Sequence, residues 1–299
     1  MLIPDDKSAA KKNTAALAED RLIMLPAGAH TFYFEGTATT KPLVGCGRIM
    51  NFAALSLGGY PSDHPNFGTG IRFIQLGKGP ILRLAGTGFV CEDPIEWVGD
   101  GESAAIEIEG RANPPTGHHR FRNQIFANCG AWFKTLPGYY NGRDFVSDES
   151  HADMSIVENC EGYNCDRVFW SQNQQSSGWK FRDCSVNVLG TKSCVVYDCE
   201  RGGGVQFTGT WLNHPRVTLV RIKDYSPHQC KIIFRDFFRD VPSTPDNWLT
   251  LIDHTGSHCY DFCKWDIEIT GFAPGCSEKD FYKVPAELPR SRWKVEVGK

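Results

Sequence analysis

Long apolar runs are missing from this sequence. No stretch approaches the roughly 20 consecutive apolar residues that a membrane-spanning helix needs, and Met1 to Asp20 carries lysines without the apolar core of a secretory signal. Neither a membrane partner nor a leader in this stretch is expected. Excess charge of one sign is missing too. The 32 Lys and Arg against 35 Asp and Glu leave a formal charge of −3, whereas a protein that grips nucleic acid by neutralising phosphates needs a basic surface. Catalytic signatures are equally scarce. There is no Gly-x-Ser-x-Gly elbow, and Gly202-Gly203-Gly204 reads as a turn without phosphate-loop spacing. Asp253, His254, His258, Cys259 and Cys263 gather metal-type ligands, but their spacing fits no zinc pattern. No metal and no cofactor are expected.

What the chain does have is a phrase that returns. Phe121-Arg122-Asn123 is followed by Ile125-Phe126-Ala127-Asn128, and Val157-Glu158-Asn159 by Gly162-Tyr163-Asn164. The phrase recurs at Phe181-Arg182-Asp183, Phe207-Thr208-Gly209 and Phe234-Arg235-Asp236, and more faintly at Ile267-Glu268-Ile269. The anchors stand 36, 24, 26, 27 and 33 residues apart, the range in which repeats build a solenoid or a propeller. Each copy also carries a second strand, such as Val168 to Gln172 or Val217 to Lys223. The Asn-bearing corners favour a parallel β-helix, because Asn tolerates a left-handed backbone and stacked amides can bond along a column. The 12 cysteines fit the same picture. Cys160 and Cys184 occupy one slot in two copies, and strands about 4.8 Å apart are spaced more widely than the roughly 4 Å between β-carbons of a disulfide. Reduced thiols filling an interior column are expected, as in a reducing compartment.

The only convincing helix lies within residues 1–20, capped by Asp5, Asp6 or Ser8 and rich in alanine. It would cover the open end of the coil as a short N-terminal α-helical cap. Residues 21–273 would form the β-helix, and the Pro- and charge-rich residues 274–299 an irregular C-terminal cap or tail. Asn13-Thr14-Ala15-Ala16-Leu17, then Leu25-Pro26-Ala27-Gly28 and Gly45-Cys46-Gly47, resemble the opening of the pectate-lyase-like right-handed β-helix proteins, a superfamily of polysaccharide lyases, glycoside hydrolases and phage tailspikes. The helix here is shorter than usual in that family and runs almost directly into the first strand. The resemblance implies an all-β, right-handed parallel β-helix acting on a polysaccharide.

Aligning the second strands puts Phe133, Phe169, Val196, Val220 and Ile252 inward, with Lys134, Trp170, Tyr197, Arg221 and Asp253 in the outward row beside them. Aromatic faces stack on sugar rings, and Lys or Arg pairs with uronate carboxylates. Lys134, Trp170, Gln172 and Lys223 are the expected substrate-binding residues. A lyase needs a cation on the uronate and a base for the α-proton; Arg201, Arg221 or Lys223 would supply the cation, with Tyr197 as acid or base. Asp198 and Glu200 could instead flank a glycosidic bond as paired carboxylates. The insertion from Tyr139 to His151 would form a binding wall, with His151 and Asp148 or Glu149 as an acid–base pair or as plain solvated residues. The expectation is binding and cleavage of an acidic polysaccharide, with β-elimination favoured over hydrolysis. The rival is a non-catalytic tailspike-like adhesin or scaffold whose outward row is a homotrimer contact.

Overall fold

The computed structural model describes the chain apart from residues 20–21, 42–46, 52–69, 111–115, 141–142, 146–151, 174, 188–191, 224–229, 242–245, 255–264, 286–289, 291 and 299. Gly45-Cys46, the His151 pair and the segment from His258 to Cys263 lie largely or wholly outside the described residues. Among the described residues the chain is all-β, with two long sheets of 17 and 10 strands and one α-helix at the N-terminal end, Ala10–Glu19. Among the described strands the pairings are parallel throughout, except for the hairpin of Ala131–Tyr140 with Arg143–Phe145. Tyr139, Tyr140 and Arg143–Phe145 are the described residues of the 139–151 insertion.

The repeated phrase is the frame of the larger sheet. Its anchors fall in one ladder column that runs Ile23, Ile49, Cys91, Phe121, Val157, Phe181, Phe207, Phe234, Ile269 and Val295. Every one of the first nine is buried. Parallel pairing sets equivalent side chains about 4.8 Å apart, which suits stacked aromatic rings. Phe207 accordingly lies 4.4 Å from Phe181 and 4.6 Å from Phe234, with interplanar angles of 12° and 8°. The sixth anchor is Ile269, not Ile267, which pairs one inward position earlier with Ile232. Residues two apart on a strand share a face, so the pattern alone could not choose between the two isoleucines.

The corners behave as their composition requires. Asn123, Asn159, Asp183 and Asp236 all adopt left-handed backbone, with φ between 50° and 59°, and Gly209 holds the equivalent slot at 65°. Asn159 Nδ2 donates to Asn123 Oδ1 at 2.7 Å along this column, and at the ends of the strands Ser185–Asn187 and Trp211–Asn213 a second amide bond runs from Asn213 Nδ2 to Asn187 Oδ1 at 2.9 Å. Cys160 and Cys184 are free buried thiols, as are Cys91, Cys129, Cys165, Cys194 and Cys199, while Cys276 is half-buried. Each of the two thiols donates to the carbonyl two residues back, at 3.3 Å.

Asp6 caps the N-terminal turn, accepting from Ser8 N at 2.8 Å and Ser8 Oγ at 2.7 Å. The helix docks through Asn13, which is fully buried, accepts from Ile3 N, and donates to the carbonyls of Ile3 and Tyr33. Thr14 Oγ1 accepts from Glu35 N at 3.1 Å. The Asn-Thr of the opening motif is therefore a fastener between helix and first strands. The C-terminal tail is more regular than its prolines suggest. Tyr282–Lys283 and Trp293–Gly298 extend the two sheets in register with Ile252–Asp253 and Ile267–Phe272.

One glycine is dictated by packing. Gly162 holds the position that Phe126 and Val186 fill in adjacent copies, and a β-carbon there would stand 2.1 Å from Trp132 Nε1. The indole of Trp132 occupies that space, stacked on Phe126 at 5.2 Å. Phe207→Ala is expected to cost about 3–5 kcal/mol, the range for losing a buried phenyl ring. The midpoint of urea unfolding, with its slope unchanged, measures this.

Candidate functional site

The outward row of the smaller sheet is read directly from its register. It runs Thr39, Arg83, Glu107, Lys134, Trp170, Asp198, Arg221, Asp253 and Lys283. Lys134, Trp170, Arg221 and Asp253 occupy the places the sequence suggests. Tyr197 does not. It pairs with Phe169 and Val220 in the inward column, is fully buried, and stacks on Phe169 at 5.5 Å and 13°. Its hydroxyl donates to the Gly203 carbonyl at 3.1 Å. Aligning Val196 with Phe169 is a slip of one residue, and a one-residue slip turns every side chain of a strand to the other face. The residue that belongs in the row is Asp198.

Asp198 is the centre of the cluster. It is fully buried and is held by Arg167 Nε at 2.7 Å and by Arg221 through both Nε, at 2.9 Å, and Nη2. Lys223 Nζ stands 3.6 Å away. Burial pushes the Asp198 carboxyl up, but the bond to Arg221 and the charges of Arg221, Arg167 and Lys223 outweigh it, so the group lies below the ordinary carboxylate value. A carboxylate held this way is a clamp that fixes two guanidinium groups, not a proton acceptor. Glu200 plays a similar part at the next position, accepting from Gln172 Nε2 at 2.6 Å and from Lys223 Nζ at 3.0 Å. Burial raises its carboxyl, and those two partners lower it by more. Asp198 and Glu200 are both engaged with cations, Lys223 lying within reach of each, which removes the geometry of a free carboxylate pair. Arg201 lies past a register shift, paired with Gln172, and its carbonyl accepts from Ser171 Oγ at 2.7 Å.

Trp170 is half-buried, with Lys134 Nζ 4.1 Å from its ring centroid and the Arg167 guanidinium 4.4 Å from it. Its ring is thus engaged with cations, each contact worth about 0.5–2 kcal/mol. Burial lowers the basicity of Lys134, against the pull of Glu107 and Glu200, with Arg83 and Arg167 adding to the lowering. Glu107 Oε1 stands 3.8 Å from Lys134 Nζ and takes two bonds from Arg83.

Beside Arg221 opens a groove of about 470 Å³ lined by Asp166, Arg167, Lys192, Ser193, Val195 and Arg221. Arg167, Lys192 and Ser193 escape a reading based on alternation. Arg167 lies three residues before Trp170, at the irregular start of its strand, and Lys192 and Ser193 precede theirs. Between Lys134 and Lys223 the cluster sets the cations Lys134, Arg167, Arg221 and Lys223 against the carboxylates Asp198 and Glu200, an excess of two positive charges on a chain that is acidic as a whole. Among the described residues no group of three or more His, Cys, Asp or Glu is arranged to hold a metal ion. Compared with family models, with curated proteins and with solved structures, the chain matches none.

The folded-state values of Asp198 and Glu200 lie below the ordinary 3.8 and 4.5. As pH falls past these, the unfolded chain takes up protons first. The clamp's contribution is therefore complete above about pH 5 and is lost as pH drops through the lowered folded values. Asp198→Asn should flatten that part of the pH–stability curve. It should also cost about 3–5 kcal/mol at neutral pH by leaving Arg167 and Arg221 uncompensated, both read from urea midpoints between pH 3 and 7.

Proposed function

We propose that the parallel ladders form one right-handed β-helix of the pectate-lyase-like kind, and that its outward row binds an acidic polysaccharide. The observation that carries this reading is the local excess of cations, Lys134, Arg167, Arg221 and Lys223, along one face and beside an open groove. Cations recur along the strand stack every second or third strand, at Arg83, Lys134, Arg221 and Lys283, with Arg167 and Lys223 beside them, a spacing suited to an extended polymer with regularly placed carboxylates. Arg221 and Arg167 are already oriented by Asp198, which lowers the entropy lost when they pair with a uronate. Trp170 contributes by holding Lys134 and Arg167 in place more than by offering its own face to sugar.

Cleavage by β-elimination is the activity that fits the groups left in the row. A base removes the proton α to the uronate carboxylate, the glycosidic C–O bond β to it breaks, and the departing oxygen takes up a proton, leaving an unsaturated sugar. Arg221 would neutralise the carboxylate as charge builds on it. Lys134, its basicity lowered by burial, is better suited to accept the proton than Tyr197, whose hydroxyl is used inside the core. Hydrolysis loses support because Asp198 and Glu200 are both engaged with cations. The rival reading, a non-catalytic adhesin or scaffold with the row as a homotrimer contact, also loses support. A presented aromatic pair would have served either reading, and of that pair one ring is buried and the other lies against two cations; the cation excess is what favours the acidic polymer over a self-contact, which would set like charges against each other.

A panel of uronate-bearing polysaccharides tests the proposal through binding and through absorbance of the unsaturated product. Binding that weakens as salt rises is expected, and Arg221→Ala should reduce it at least tenfold while leaving the circular dichroism unchanged. No binding to any polyuronate at low salt would overturn the reading. Binding without product would overturn the elimination alone.

A further inference from the structure

Near the C-terminal end of the molecule, a charged residue sits where the frame calls for a hydrophobic one. Trp211 pairs with Phe238, so Arg239 takes the position that Leu212 fills in the preceding copy. Arg239 is 1% exposed. Its Nη1 donates to Cys276 Sγ at 2.8 Å and its Nη2 to the Pro215 carbonyl at 3.0 Å. No described carboxylate pairs with it, and its Nε is buried without a partner. A buried guanidinium with neither a counter-charge nor a complete set of acceptors is costly, and such a group calls for an explanation.

The explanation lies next to it. Arg239 lines a cavity of about 510 Å³, together with Thr250, Cys276, Ser277, Asp280 and Lys283. Thr250 is fully buried, and its Oγ1 also lacks a partner. Two buried polar side chains with unmet bonds thus border one cavity whose size is within the usual range for small-molecule sites. The cavity's charged groups are Arg239 and Lys283 against Asp280, one positive charge in excess. Burial, with the nearby charges of Arg239 and Arg216, holds His214 down to about 4, so this neighbour is neutral at physiological pH and leaves that balance unchanged.

We propose that this cavity binds a small hydroxylated carboxylic acid of sugar-acid size, with its carboxylate on Arg239 and a hydroxyl on Thr250. The planar fork of an arginine matches a carboxylate. A single negative charge neutralises the cavity, whereas a dianionic phosphate would face Asp280 with its second charge. Hydroxyls along the ligand find Thr250 and Ser277. The outward row ends at Lys283, which also lines this cavity, but Arg239 and Thr250 belong to the cavity alone, and the proposal stands whether or not the row binds polysaccharide.

Thermal-shift and calorimetric titration of the full chain with glucuronate, galacturonate and gluconate test it, with glucose and inorganic phosphate as controls. At least one of the three acids should give saturable stabilisation, and neither control should. Thr250→Val preserves shape and removes one hydroxyl, and should weaken binding about tenfold, the loss expected for one hydrogen bond. Arg239→Lys should abolish binding. If that variant fails to fold, Thr250→Val and Ser277→Ala still decide the matter. Arg221→Ala should leave the titration unchanged, which separates this site from the row. No saturable effect from any of the three acids would overturn the proposal, as would equal stabilisation by phosphate or full binding in Thr250→Val.

Discussion

Everything in this molecule depends on strict vertical register. A parallel ladder places residue over residue at one strand spacing, so whatever a copy puts in a slot must tolerate the same slot above and below it. Phenylalanine meets that condition by stacking, asparagine by passing an amide bond along the column, and cysteine by being small and apolar with its S–H turned to a local carbonyl. Charged residues meet it in another way. Like charges cannot sit one strand apart, so Arg83, Glu107 and Lys134 alternate in sign, as do Asp198, Arg221, Asp253 and Lys283. Trp170 separates the two runs.

This condition also explains how far the chain could be read without coordinates. The column that runs through Phe121, Phe181, Phe207 and Phe234 is legible because a large ring recurring beside a corner of Asn, Asp or Gly leaves little choice of register. Legibility falls where one strand offers two equally apolar neighbours. Ile267 and Ile269 share a face, and Val196 and Tyr197 are both good strand residues, so alternation alone permits either alignment. The second ambiguity matters most, because it exchanges an aromatic for a buried carboxylate in the row. Packing decides it: Phe169 needs a ring beneath it, and Tyr197 has the only ring in its strand. The last strand, Trp293–Gly298, alternates plainly, but its preceding prolines disguise it as tail. Arg167 lies off the period and becomes visible only through what it touches.

The cationic row and the C-terminal cavity show two ways of keeping a guanidinium in a β-rich interior. Arg221 is half-buried and bound to a buried carboxylate, so its orientation is set before any ligand arrives. Arg239 is deeper and has only a thiol and a carbonyl for company. The first arrangement favours many weak contacts along a surface. The second favours one strong contact in a confined space.

In the proposed β-helix each strand bonds only to its neighbours in the stack, so cooperativity would be short-ranged. Order lost in one copy reaches the next only through their shared interface. The Asp198 cluster sits mid-stack, with ladder on both sides, and should be among the last parts to open. The cavity around Arg239 borders the final strands, where fraying begins. An occupant there would act as a latch, adding protection at the end of the stack and, through successive interfaces, slowing amide exchange in the copies before it.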